Sequence, residues 1–114
     1  MLFTAEKPIY LQICDAISER ILSGELPAEG RIPSVREYGA EVGVNPNTMM
    51  RCYEKLTADG IIYNKRGIGY FVAAPAREII LEQQRREFME NEAPAFLKRM
   101  RLLGINPSEI LNIE

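Results

Sequence analysis

Residues 34–70 read SVREYGAEVGVNPNTMMRCYEKLTADGIIYNKRGIGY, and the order of caps and breakers in this stretch decides the fold. Ser34 and Glu37 have the spacing of a capping box, in which the serine oxygen accepts a free backbone amide and the glutamate reaches back. This predicts a short helix over roughly 34–42. Gly43, Val44 and Asn45 then make a turn short enough to force two helices to cross steeply. Asn45 is placed to cap a second helix over roughly 46–59, with Pro46 at its first position, where a missing N–H does no harm, and Gly60 as its stop. Residues 61–63 and 69–72 are rich in β-branched and aromatic side chains and read as two strands. Residues 64–67 between them form a hairpin tip carrying Lys65, Arg66 and Gly67. The expected fold class is α+β and mainly helical: a winged helix-turn-helix, whose second helix has the dimensions to enter the DNA major groove.

The helix over 46–59 separates into two sides at 100° per residue. Met49, Cys52, Tyr53 and Leu56 gather on one, a core-facing stripe. Asn47, Arg51 and Glu54 lie opposite, with Met50 and Lys55 at the flanks. A helix anchored along one side and presenting Asn and Arg on the other can read base edges, because Asn offers two hydrogen bonds matched to adenine and Arg two matched to guanine. Two adjacent cations at a hairpin tip can reach a phosphate or a neighbouring minor groove; they can equally be a solvated turn.

Upstream, Pro8 opens a helix whose Ile9, Ile13, Ile17 and Ile21 recur every four residues and which ends at Ser23 and Gly24. Arg31 and Ile32 have room for a single short strand. Downstream of residues 73–75 the pattern is helical again. Pro94 predicts a break or bend near 91–93, and Asn106 to Glu109 form another capping sequence ahead of a last short helix. The expected domains are 1–74, the winged helix-turn-helix, and 75–114, a helical dimerisation tail. Ile80, Leu81, Phe88, Met89, Phe96, Leu97, Met100, Leu103, Ile110 and Leu111 are its expected interface, since two or three helices cannot bury such stripes against themselves. Lining a small-molecule pocket is the alternative for Phe88, Met89, Phe96 and Met100. An isologous pair would carry two reading helices about one helical turn of DNA (~34 Å) apart, or a multiple of that.

Composition bounds these readings. The 114 residues, 46% of them hydrophobic, support a packed core. No apolar run is long enough to span a membrane, and the first seven residues lack a leader pattern, so the expected location is cytoplasmic. Net charge is −2, with eight basic against nine acidic residues over 1–73 and six against seven over 74–114. DNA affinity must therefore come from a local patch, and the negative balance motivates a second reading, a winged helix used as a protein-interaction module without sequence-specific DNA binding. Cys14 and Cys52 fall on apolar faces and read as core residues, with a redox switch or metal site as the alternative; the chain has no histidine and no Cys-x-x-Cys spacing. With no phosphate cradle after a strand and no placeable nucleophile–base pair, an enzyme is not expected, and neither a cofactor nor a metal.

Residues 8–72 resemble the winged helix-turn-helix of GntR-family bacterial transcription regulators. The resemblance rests on PIYLQICDAISERILSGEL followed by Pro33-Ser34-x-Arg36-Glu37, Val44 before the Asn/Thr-rich cap, Leu56 ahead of Asp59-Gly60, and Arg66-Gly67-x-Gly69. The short tail is similar to that of the YtrA subfamily. This implies a homodimeric regulator, usually a repressor, of a partly palindromic double-stranded operator, with room for an unidentified small-molecule effector acting through the tail. The resemblance carries a DNA-contact role onto Arg36, Asn47, Thr48, Lys65, Arg66 and Gly67; the caps and the outward side of the helix over 46–59 add Ser34, Asn45, Arg51 and Lys55 to the expected DNA-binding residues. Pro46 and Met50 depart from the family, where many relatives carry arginine, so Arg51 is left as a reader of either base or phosphate.

Overall fold

The computed structural model describes residues 7–113; the leader reading of residues 1–6 lies outside the described residues. The elements run α1 (Ile9–Leu22), α2 (Val35–Val42), α3 (Pro46–Ala58), β1 (Ile62–Lys65), β2 (Gly69–Val72), α4 (Ala76–Glu87), a π-helical segment (Phe88–Glu92), α5 (Ala93–Leu103) and α6 (Pro107–Leu111). Two compact units divide the chain after Ile80. The first unit reaches beyond residue 74 because Ala76 and Ile80, on the first turns of α4, are buried in its core.

That core is built from Ile13, Ile17 and Ile21 of α1, the inner side of α3, and Ile61, Ile62 and Val72 around the hairpin. Ile9, at the exposed start of α1, stays outside it. Both capping devices form. Ser34 Oγ accepts from the Glu37 N–H and the Glu37 carboxylate accepts from the Ser34 N–H, each over 3.1 Å, while Asn45 Oδ1 accepts from the Asn47 N–H over 2.8 Å. Gly39 sets how closely the two helices approach. A Cβ there would lie 2.9 Å from the Val44 carbonyl oxygen and 3.2 Å from Met49 Cγ, so only glycine lets the turn close.

The hairpin is shifted from its expected bounds. β1 begins at Ile62, runs through Lys65 and pairs antiparallel with β2, Lys65 opposite Gly69, leaving Arg66, Gly67 and Ile68 as a three-residue loop. Lys65 therefore belongs to the paired strand and not to the tip. Three-residue loops of this kind carry a left-handed residue, here Gly67 at φ +81°. Arg31 forms an isolated bridge to Phe71 on the free edge of β2, and the Ile32 N–H donates to the Tyr70 carbonyl over 3.0 Å, so a single bridge stands where a short strand is expected.

Of the break or bend expected near 91–93, the helix shows no break but a local irregularity at that place. Phe88–Glu92 widens into a π turn in which the Ala93 N–H donates to the Phe88 carbonyl, and α5 starts with Pro94 in its first turn. The wider turn accommodates a proline ring that would strike a carbonyl in a regular helix, and the helical path continues. In the second unit Gly104, left-handed at φ +68°, ends α5, and Asn106 caps α6 through the expected box with Glu109.

Candidate nucleic-acid interface

α3 is held along one side. Met49, Cys52, Tyr53 and Leu56 are buried, the Tyr53 ring meets Tyr70 edge-on at 4.9 Å, and its hydroxyl donates to the Pro33 carbonyl over 2.6 Å. Burial pushes the Tyr53 phenol up, so it stays a neutral donor. Cys14 and Cys52 are free thiols inside this core with sulfurs 3.4 Å apart; the hydrogen bond between them and burial push the Cys52 thiol up. On the other side Asn47, Met50, Arg51, Glu54 and Lys55 are exposed and Thr48 is half-buried, the division that helical spacing predicts.

The cations around this face differ in availability. Arg36, in the first turn of α2, and Arg66, in the hairpin loop, are exposed and have no ion-pair partner among the described residues. Lys55 is engaged one turn along its own helix: its ammonium lies 2.7 Å from the Asp59 carboxylate, and that hydrogen bond raises its pKa. Lys65 does not project freely into solvent, because its ammonium sits 4.7 Å from the centre of the Phe71 ring, a cation–π contact. Ser34 and Asn45 spend their oxygens on caps but keep a hydroxyl proton and an amide NH₂ to donate.

Two residues, one beside the hairpin and one beside α3, make contacts that the sequence does not announce. Arg31 lies along the hairpin, with Nε 3.0 Å from where a Cβ on Gly69 would stand. Gly69 adopts φ +139°, so the second glycine of the Arg-Gly-x-Gly string serves both the backbone and the room for Arg31. A two-residue strand ahead of that string is the only sequence signal for it. The other is Tyr10 of α1, whose ring centre lies 4.2 Å from the guanidinium carbon of Arg51. It shows in the sequence only as an aromatic beside the isoleucine series.

Of the tail positions expected at an interface, two are buried within the chain itself. Ile80 is only 1% exposed, in the core of the first unit, and Met100 is covered in the second, where the turn after α5 brings Ile105 and Ile110 onto the same cleft. Leu81, Phe88, Met89, Phe96, Leu97, Leu103 and Leu111 are exposed, and Ile110 is half-buried. The cleft between Phe96, Arg99, Met100, Leu103, Ile105 and Ile110 encloses about 140 Å³, below the ~300 Å³ at which small-molecule pockets begin. Phe88 and Met89 do not line it.

The sequence profile of the bacterial regulatory proteins of the gntR family matches residues 9–72, α1 through the hairpin. The chain belongs to the GntR family. The HTH-type transcriptional regulator YhcF of Bacillus subtilis is 38% identical over 109 residues, 96% of this chain and 88% of that one. The HTH-type transcriptional repressor YtrA of the same organism is 36% identical over 75 residues, 66% of this chain and 58% of the repressor. The crystal structure of a GntR-family regulator from Bacteroides thetaiotaomicron superimposes with a TM-score of 0.79 at 47% identity, covering 92% of this chain and 91% of that one. The DNA-binding domain of AraR in complex with operator ORX1 superimposes with a TM-score of 0.59 at 30% identity, covering 63% of this chain and 93% of the AraR domain. This GntR-family chain is a DNA-binding transcriptional regulator and not an enzyme. The reading as an interaction module without DNA binding gives way to that membership, since negative net charge does not forbid a local cationic face. No helix among the described residues is long and apolar enough to cross a membrane.

Proposed function

We propose that this GntR-family chain acts in the cytoplasm as a homodimeric repressor of a partly palindromic double-stranded operator. In each subunit α3 enters a major groove, where Asn47 and Arg51 face base edges and Thr48 and Lys55 flank them. Ser34, Arg36 and Asn45 fasten the adjacent phosphates, and Lys65, Arg66 and Gly67 bring the hairpin onto flanking DNA. One observation carries this reading: α3 is locked into the core through Met49, Cys52, Tyr53 and Leu56 while Asn47 and Arg51 stand exposed on its opposite side. The second subunit is proposed because the large apolar side chains Phe88, Met89, Phe96 and Leu97 all stand exposed on the tail.

Selection of bound duplexes from a random pool, followed by titration of the selected site, tests both parts. Two dyad-related half-sites about one helical turn (~34 Å) apart, or a multiple of that, filled by two chains are expected. A single half-site filled by one chain would reject the dimer, and no enrichment over the starting pool would reject sequence reading. Placing the selected site across a promoter should lower transcription in vitro; raised transcription would reject repression.

A further inference from the structure

We propose that Tyr10 is a positioning residue of the DNA-reading face, its ring acting as the platform on which the Arg51 guanidinium is oriented before DNA arrives. The proposal rests on the reading of Arg51 as a group that meets a base edge. Tyr10 sits in the first turn of α1, half-buried and packed against the core, so the ring is fixed from one side. The Arg51 guanidinium lies over this ring, with the carbon 4.2 Å from the ring centre, well inside the ~6 Å range of a cation–π contact.

The chemistry of the pairing favours reading over neutralisation. A guanidinium held over a ring face is attracted through its charge and spends none of its N–H donors on an acid, so they are left to donate twice to guanine O6 and N7. An acidic partner would have taken those donors, as Asp59 takes those of Lys55, and among the described residues Arg51 has none. An unsupported arginine must also freeze several rotatable bonds on binding, whereas one already resting over a ring has lost part of that freedom. The Tyr10 hydroxyl makes no hydrogen bond among the described residues, so the ring alone does the positioning, and phenylalanine should replace it.

The test compares wild type, Tyr10→Phe, Tyr10→Leu, Arg51→Ala and Tyr10→Leu/Arg51→Ala on the selected duplex and on duplexes substituted at each base pair. Tyr10→Leu is expected to lower discrimination about 2- to 30-fold at the one base pair that Arg51→Ala relaxes, to leave the other pairs unchanged, and to add nothing once Arg51 is gone. Tyr10→Phe should keep wild-type discrimination. Uniform weakening on every duplex, or full additivity with Arg51→Ala, would make Tyr10 a core residue only and overturn the proposal. In the free protein the Arg51 Hε proton resonance should be shifted upfield by the ring in wild type and Tyr10→Phe. Its absence in wild type would overturn the proposal without any variant having to fold. Should the ring shift be present while Arg51→Ala changes no base preference, the reading of Arg51 fails instead, which separates the two.

Discussion

The Tyr53 hydroxyl donates to the carbonyl of Pro33 over 2.6 Å, tying the middle of α3 to the residue just ahead of the Ser34 cap of α2. Both helices of the DNA-binding pair are thereby referenced to one buried ring. Tyr53→Phe removes the donor and keeps the packing, so it should cost about 1 kcal/mol in urea unfolding with an unchanged m-value. Tyr53→Ala also empties the ring's place against Tyr70 and should cost about 3–5 kcal/mol. If Tyr53→Phe were neutral, water would be satisfying the Pro33 carbonyl and the tie would have no energetic content.

The capping box of α2 gives a pH dependence with a definite sign. The Glu37 carboxylate accepts from the backbone N–H of Ser34, and that bond holds its carboxyl below the usual glutamate pKa. A depressed folded-state pKa stabilises the protein above the unfolded value of about 4.3 and is lost as pH falls through the lower folded value. Glu37→Gln can rebuild the box without the charge. Wild type should therefore unfold at higher urea than Glu37→Gln at pH 7, and the difference should close in acid. A difference that stayed constant from pH 7 to pH 2.5 would assign the effect to geometry and not to the charge.

The Lys55–Asp59 pair places a carboxylate at the C-terminal end of α3, where the helix dipole disfavours it, next to a cation proposed to face DNA. Asp59→Asn frees Lys55 at little structural cost, within about 0.5 kcal/mol, since exposed i,i+4 pairs are weak. DNA affinity should rise and the dependence of log K on log salt should steepen by about one unit. Arg66→Ala should do the reverse, flattening that slope by about one. An unchanged slope for Asp59→Asn would place Lys55 away from the phosphates.

Local chemistry made most of the first unit legible in the sequence. The caps at Ser34 and Asn45 and the two sides of α3 depend on neighbours within a turn or two, and the structure has them where spacing puts them. What escaped depends on distant neighbours. Tyr10 and Arg51 meet only because α1 packs across α3, and Arg31 meets Gly69 only because residues 29–32 run along β2. Pro94 announced a disturbance but not its form, since a missing N–H can be absorbed by a break or by a wider turn. Ile80 looked like its exposed neighbours because an apolar stripe does not say which element will cover it; the core of the first unit does.

The tail separates two kinds of apolar residue that look alike in the sequence, and a matched pair of substitutions should tell them apart. Phe88 and Phe96 are each 52% exposed, whereas Met100 is 6% exposed. An aspartate at Phe88 or Phe96 keeps its hydration in a single subunit, so the helix content of the variant should match wild type. In a dimer closed by these rings the same carboxylate would be stripped of water, which association cannot repay. Sedimentation should then find monomers, and operator affinity should fall because two linked half-site contacts become independent. Met100→Asp buries its charge within one subunit and should instead unfold α5 and α6, visible as lost helicity at any protein concentration. Were Phe88→Asp and Phe96→Asp both to remain dimeric, the association surface would lie elsewhere than on these rings.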